Sequence, residues 1–88
     1  MDKTKELYMT KWEYLFVVGE FATHEWVARY INEKELTNWE SGPSIYQTSN
    51  QLGEEGWELV NLATASRPDK PPSFRLVFKR PKASATTG

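Results

Sequence analysis

The stretch Gly53-Glu54-Glu55-Gly56-Trp57-Glu58-Leu59-Val60, GEEGWELV, decides how this chain folds. Two glycines bracket two acids, and a tryptophan then opens an apolar run. Either the glycines cradle a ligand, or they stop a helix and turn the chain into a strand. Phosphate-cradling loops precede a helix, where backbone N–H groups point outward. Here the helical pattern comes first: Ile45, Ser49 and Leu52 recur on one face, with Tyr46 beside them. Glu54 and Glu55 would also repel an anion. GEEG therefore reads as termination chemistry, since a helix end commonly needs one left-handed residue and glycine takes it without strain. The structural residues of this junction are Gly53, Gly56 and Trp57, with Gly53 expected to let the helix approach its sheet closely. The helix should run from about Pro43 to Glu54, with Ser41 or Gly42 as N-cap and Pro43 in the first turn.

Outward from that junction the pattern is mostly strand. Trp57 to Thr64 alternates, with Trp57, Leu59, Asn61 and Ala63 on one face and Glu58, Val60, Leu62 and Thr64 on the other. Ser66 to Ser73 holds three prolines, which remove ladder donors, and reads as a loop. Phe74 to Arg80 alternates again, placing Phe74, Leu76 and Phe78 inward and Arg75, Lys79 and Arg80 mostly outward. On the N-terminal side, Trp12, Tyr14, Phe16 and Val18 share one face of a strand that Gly19 ends, and Glu13, Leu15 and Val17 share the other. His24 to Leu36 fits a hairpin turning at Asn32-Glu33, with Glu35-Leu36 as a return strand. It also fits a helix capped by Thr23, with Val27 and Ile31 one turn apart. The density of β-branched and aromatic residues favours the hairpin.

The sum is a single α+β domain over 11–81. One helix packs on a four- to five-stranded, mainly antiparallel sheet in the order β-β-(β)-α-β-β. Residues 1–10 are expected to be a flexible arm and 82–88 a disordered tail. The expected core is Trp12, Phe16, Trp57, Phe74 and Phe78 with Ile45 and Leu52.

Size and composition exclude several functions. At 88 residues the chain makes one domain, and such a domain buries only roughly 60–65% of its unfolded surface. Pairing with a second copy is a natural remedy for so small a core. The sequence has no cysteine, which removes disulfides, thiolate metal sites and a cysteine nucleophile together. No apolar run approaches the ~18 residues of a membrane span, and no apolar stretch follows the N-terminus as in a secretory signal. A cytoplasmic protein is expected. Residues 1–60 carry five Lys/Arg against eleven acids, and residues 61–88 carry six against one. The simplest consequence is attraction between the two ends, within one chain or between copies.

Lys11-Trp12-Glu13-Tyr14, Leu52-Gly53-Glu54-Glu55-Gly56-Trp57-Glu58-Leu59-Val60 and Phe78-Lys79-Arg80-Pro81 together resemble a widespread family of small bacterial proteins catalogued only as a domain of unknown function. The resemblance covers roughly Lys11 to Pro81, and the segment from Phe21 to Gly42 exceeds the family's minimal pattern. It implies one helix on a small antiparallel sheet. It carries no established catalytic residues, so none transfers to this chain.

Candidate chemistry is sparse. His24 is the single histidine, without a second histidine or a cysteine to share a metal. A Ser–His–Asp arrangement would need Asp2 or Asp69, one at a loose end and one in the proline loop. Glu13 and Glu58 could pair as carboxylates if their strands were neighbours, but cross-strand bonds to Arg75 or Lys79 explain them more simply. Neither a catalytic residue, a cofactor site nor a metal site is expected. Nucleic-acid binding would need stacking rings on the face of Arg75 and Lys79, whereas Phe74 and Phe78 point the other way. Leu15, Val17, Val60, Leu62 and Val77 form a second apolar face that one helix cannot cover, and such patches mark interfaces. The leading expectation is a non-catalytic protein acting by self-association, as a dimer, or by binding a protein partner. A small-molecule pocket lined by Trp26, Tyr30 and Trp39 is the alternative, and a weak single-stranded nucleic-acid binder the third.

Overall fold

The computed structural model describes residues 9–82. The expected arm and tail lie outside them, apart from residues 9, 10 and 82. The described residues form five strands, β1 (Trp12–Ala22), β2 (Glu25–Ile31), β3 (Lys34–Glu35), β4 (Glu58–Arg67) and β5 (Lys70–Pro81), and one helix, α1 (Ile45–Glu54). A single 3-10 turn, Trp39–Ser41, precedes the helix. The strands form one sheet in the order β3-β2-β1-β5-β4, and every pairing is antiparallel. The α+β class holds.

The segment after β1 is the hairpin rather than the helix. Asn32 and Glu33 turn it with φ of 49° and 71°, the paired positive values of a type I′ connection. The Asn32 side chain also accepts from the Phe16 amide at 3.0 Å. β3 is only two residues, one position earlier than the expected Glu35-Leu36.

GEEGWELV is a helix stop. The Gly56 amide donates to the Gly53 carbonyl at 3.0 Å and the Trp57 amide to the Leu52 carbonyl at 2.9 Å, the paired bonds of a Schellman motif. Gly56 supplies the left-handed residue, at φ 91°. Trp57, just ahead of β4, packs against the core cluster that contains Leu52. At the other end Ser44, not Ser41 or Gly42, is the N-cap. Its hydroxyl accepts from the Gln47 amide at 3.1 Å, and the Gln47 side chain accepts from the Ser44 amide at 3.0 Å. This capping box satisfies two of the amides that a helix start leaves unpaired.

Close approach of helix and sheet rests on a different glycine. A Cβ added at Gly53 would meet nothing within 4 Å, so Gly53 does not act as a spacer. A Cβ at Gly19 would lie 2.6 Å from Ile45 Cγ2. Gly19 does not end β1, which continues to Ala22, but opens the sheet surface for the first turn of α1.

The helix covers the face built by Val17, Ala28, Leu76 and Phe78, with Leu52 from α1 completing the cluster. Leu15, Ile31, Leu36, Trp57 and Phe74 pack around it. β1 therefore presents the face opposite to the expected one. Leu15 pairs with Phe78 and Val17 with Leu76, whereas Tyr14 pairs with Lys79, Phe16 with Val77 and Val18 with Arg75. Directly opposite residues share a sheet face. The helix leaves the face of Lys79 and Arg75 uncovered, because its apolar side could not pair those charges and burying unpaired charge is costly, and that face carries Trp12, Tyr14 and Phe16 with it. Phe78, Ile45 and Leu52 are core as expected, Phe74 and Trp57 are half-buried, and Trp12 and Phe16 are exposed.

The proline segment is not a loop. β5 begins at Lys70 and includes Pro71 and Pro72, and the turn is at Pro68-Asp69. Pairing of β5 with β1 stops at Phe74, so the prolines sit where one side of the strand has no neighbour to miss their donors. A register shift in β4 between Ala65 and Arg67 lies opposite them.

Candidate functional site

The face away from α1 is the most unusual surface of the described residues. Trp12, Tyr14 and Phe16 lie along β1 on this side, 41%, 53% and 54% exposed. Alternation of β1 places them together, and the hairpin adds Tyr30, which pairs with Val18. A shallow concavity of about 640 Å³ is lined by Phe16, Val18, Tyr30, Asn32, Glu33 and Arg75. A second, of about 440 Å³, runs toward the β4–β5 turn and adds Glu20, Arg29, Arg67 and Lys70.

Two arginines fasten this architecture. Arg29 is the extra residue of a bulge in β2, since Val18 pairs with Tyr30 and Gly19 with Ala28. Its guanidinium binds Glu20 and Glu35, each at 2.9 Å. It lies over Trp39 at 4.5 Å and beside Tyr30 at 5.1 Å. The hydrogen bond to Glu35, then the one to Glu20, hold its pKa above the usual arginine value. Arg80 donates to Glu13 at 2.9 Å and to the Glu55 carbonyl at 2.8 Å, and stacks on Trp57 at 4.3 Å. It ties the C-terminal strand to the helix stop and to β1, which realises the attraction between the chain's acidic and basic parts. Lys79 lies over Trp12, its Nζ 4.3 Å from the ring centroid. These pairs are partly exposed, so each ion pair contributes only about 0.2–1 kcal/mol.

The residues singled out for function are redistributed. Val17 is 2% exposed and Leu15 packs on the core, so neither belongs to an interface. Val77 stays on the uncovered face between Phe16 and Asn61. Val60 sits in a register shift of β4, Leu62 pairs with Leu76 on the helix side, and both are exposed. Trp26 packs edge-on between Phe21 and Phe74, at 5.2 and 4.6 Å, while Tyr30 and Trp39 meet on Arg29. The three do not line a common pocket. Trp12, Tyr14 and Phe16 were missed as a surface, although Lys79 and Arg75 at alternate positions of β5 were the signal for which face the helix leaves uncovered.

Glu13 and Glu58 do not form a carboxylate pair. β5 separates their strands, and Glu13 is held by Arg80 while Glu58 pairs with Lys79. His24 is exposed in the β1–β2 turn, and no cluster of metal-ligating side chains occurs among the described residues. Among the described residues no helix is long and apolar enough to cross a membrane. Neither a family model, nor a curated protein, nor a solved structure matches this chain.

Proposed function

We propose that this chain is a non-catalytic cytoplasmic assembly module, which works by burying its uncovered sheet face against another protein surface, most simply a second copy. The observation that carries the reading is the row of Trp12, Tyr14 and Phe16 left about half exposed on one strand. Covering the exposed halves of three such rings removes on the order of 300 Å² from water. At about 25 cal/mol per Å² that is roughly 7 kcal/mol gross for one copy. Two copies double it, which reaches the scale of the association cost, about 4–15 kcal/mol. The dispersal of Trp26 from Tyr30 and Trp39 weighs against the small-molecule alternative. The resemblance to the small bacterial family is compatible with this reading and adds no catalytic residue to it.

Sedimentation velocity across the micromolar range tests the proposal. Wild type should sediment as a dimer, and Phe16→Glu should shift it to monomer with an unchanged far-UV circular dichroism spectrum. A wild type that stays monomeric throughout, without a bound protein, would remove this reading. One further observation favours a second function: Lys79 and Arg75 share the face of Trp12, Tyr14 and Phe16, an arrangement on which unpaired bases can stack. Tryptophan fluorescence titrated with an oligothymidylate at low salt checks it. A flat titration rejects that role.

A further inference from the structure

We propose that β4 is a docking edge for a second copy of this chain, pairing antiparallel with the partner's β4 to give one continuous ten-stranded sheet. This goes beyond the buried-face reading, because it uses backbone groups at the sheet's rim rather than side chains on its face.

The two rims of the sheet are built differently. One rim is β3, two residues long and both charged, Lys34 and Glu35, and beyond its pairing at Tyr30 and Ile31 the stretch of β2 left over is bridged to Ser44 at Val27. Arg29 holds Glu35. Short, charged edges of this kind resist pairing with another chain. The β4 rim is ten residues long, and nine of them are exposed. Between Glu58 and Arg67 the run Leu59-Val60-Asn61-Leu62-Ala63-Thr64-Ala65-Ser66 holds no charge, proline or glycine. Leu59, Val60 and Leu62 are 44%, 42% and 48% exposed. An exposed, apolar edge without guarding charges is a template for another strand.

The occupant follows from charge and register. β4 starts with an acid and ends with a base, Glu58 and Arg67. An antiparallel partner of identical sequence therefore brings Glu58 of each copy to the basic end of the other strand. Register shifts flank the regular stretch Asn61–Ala65, whose midpoint is Ala63. A two-fold axis at Ala63 matches both the regular stretch and the end charges. It sets Ala63 against its own copy and Leu62 against the partner's Thr64. Leu62 and Thr64 face the same side, since they pair with Leu76 and Phe74 of β5. Antiparallel two-fold pairing requires this equal parity.

A cysteine scan tests the register directly, because the wild-type chain has no cysteine. Ala63→Cys should form an intermolecular disulfide readily, since directly opposed residues stand about 4.5–5.5 Å apart at Cα. Lys34→Cys, on the other rim, should not. Ala63→Lys should convert the dimer to monomer, and its melting curve should show that the fold persists, because Ala63 is exposed. Crosslinking at position 63 together with dissociation by Ala63→Lys supports the edge. A dimer that withstands Ala63→Lys and crosslinks poorly at 63 overturns it. If that dimer dissolves on Phe16→Glu, the buried-face reading survives alone. If Ala63→Lys dissolves the dimer and Phe16→Glu does not, the edge stands and the buried face falls. A monomeric wild type overturns both.

Discussion

Replacing Gly19 by alanine is the sharpest probe of how α1 sits on the sheet. The new methyl carbon would lie 2.6 Å from Ile45 Cγ2, about 1 Å or more inside the usual carbon–carbon separation of about 3.5–4.0 Å. The opposing atom cannot swing away cheaply. It branches directly from the Ile45 Cβ, and such side chains have one strongly preferred χ1 in a helix. Ile45 is 4% exposed, so there is no solvent to retreat into. Overpacking of this kind costs about 1–3 kcal/mol. Against it stands the ordinary gain of Gly→Ala in a strand, about 0.5–1 kcal/mol. The net expectation for Gly19→Ala is a loss of about 1–2 kcal/mol. Gly53→Ala is the control, since a Cβ there meets nothing, and an alanine inside a helix should gain about 0.5–1 kcal/mol. In the double variant Gly19→Ala/Ile45→Leu the branching carbon is gone, and part of the loss should return. Urea unfolding at one fixed protein concentration measures all four chains, the fixed concentration removing any mass-action effect of association. Gly19→Ala as stable as Gly53→Ala would refute the tight contact and the placement of α1 that depends on it.

Three more outcomes are expected. Gly56→Ala, which forces a side chain into φ 91°, should lower stability by about 1–2 kcal/mol in the same urea assay. Thr48→Val should raise it by about 1 kcal/mol, because the Thr48 hydroxyl is buried without a hydrogen-bond partner and valine keeps the shape. Phe16→Glu should leave the urea midpoint of the monomer nearly unchanged, whereas Phe78→Ala, which empties a side chain that is 2% exposed, should cost about 3–5 kcal/mol.

The parts of the fold that were legible in the sequence are those set by local chemistry. Gly56 needed only to follow an amphipathic run and precede Trp57. Asn32-Glu33 needed only to tolerate positive φ between two apolar stretches. Facing was harder, because alternation in β1 defines two faces without saying which one the helix takes. The larger rings Trp12 and Phe16 suggested one answer, and pairing of Leu15 and Val17 with Phe78 and Leu76 gave the other. The lysine and arginine of β5 held that information once the partner strands were known. Gly53 and Gly19 show the same limit, since close approach is a property of two elements and neither glycine's neighbours in sequence reveal it. Pro71 and Pro72 misled for a related reason: a proline forbids a ladder bond only on a side where another strand waits.

The shortness of β3 has a consequence for the size of anything this chain builds. A sheet open at both rims can add copies at each end without limit and grows into a fibre. If β4 pairs with its copy as proposed, both outer boundaries of the joined sheet are β3 and the adjoining stretch of β2 that Val27 bridges to Ser44. Lys34 and Glu35 then guard those boundaries, so edge pairing would stop at two copies. Lengthening β3, or removing its two charges, would make the same domain a monomer for polymerisation.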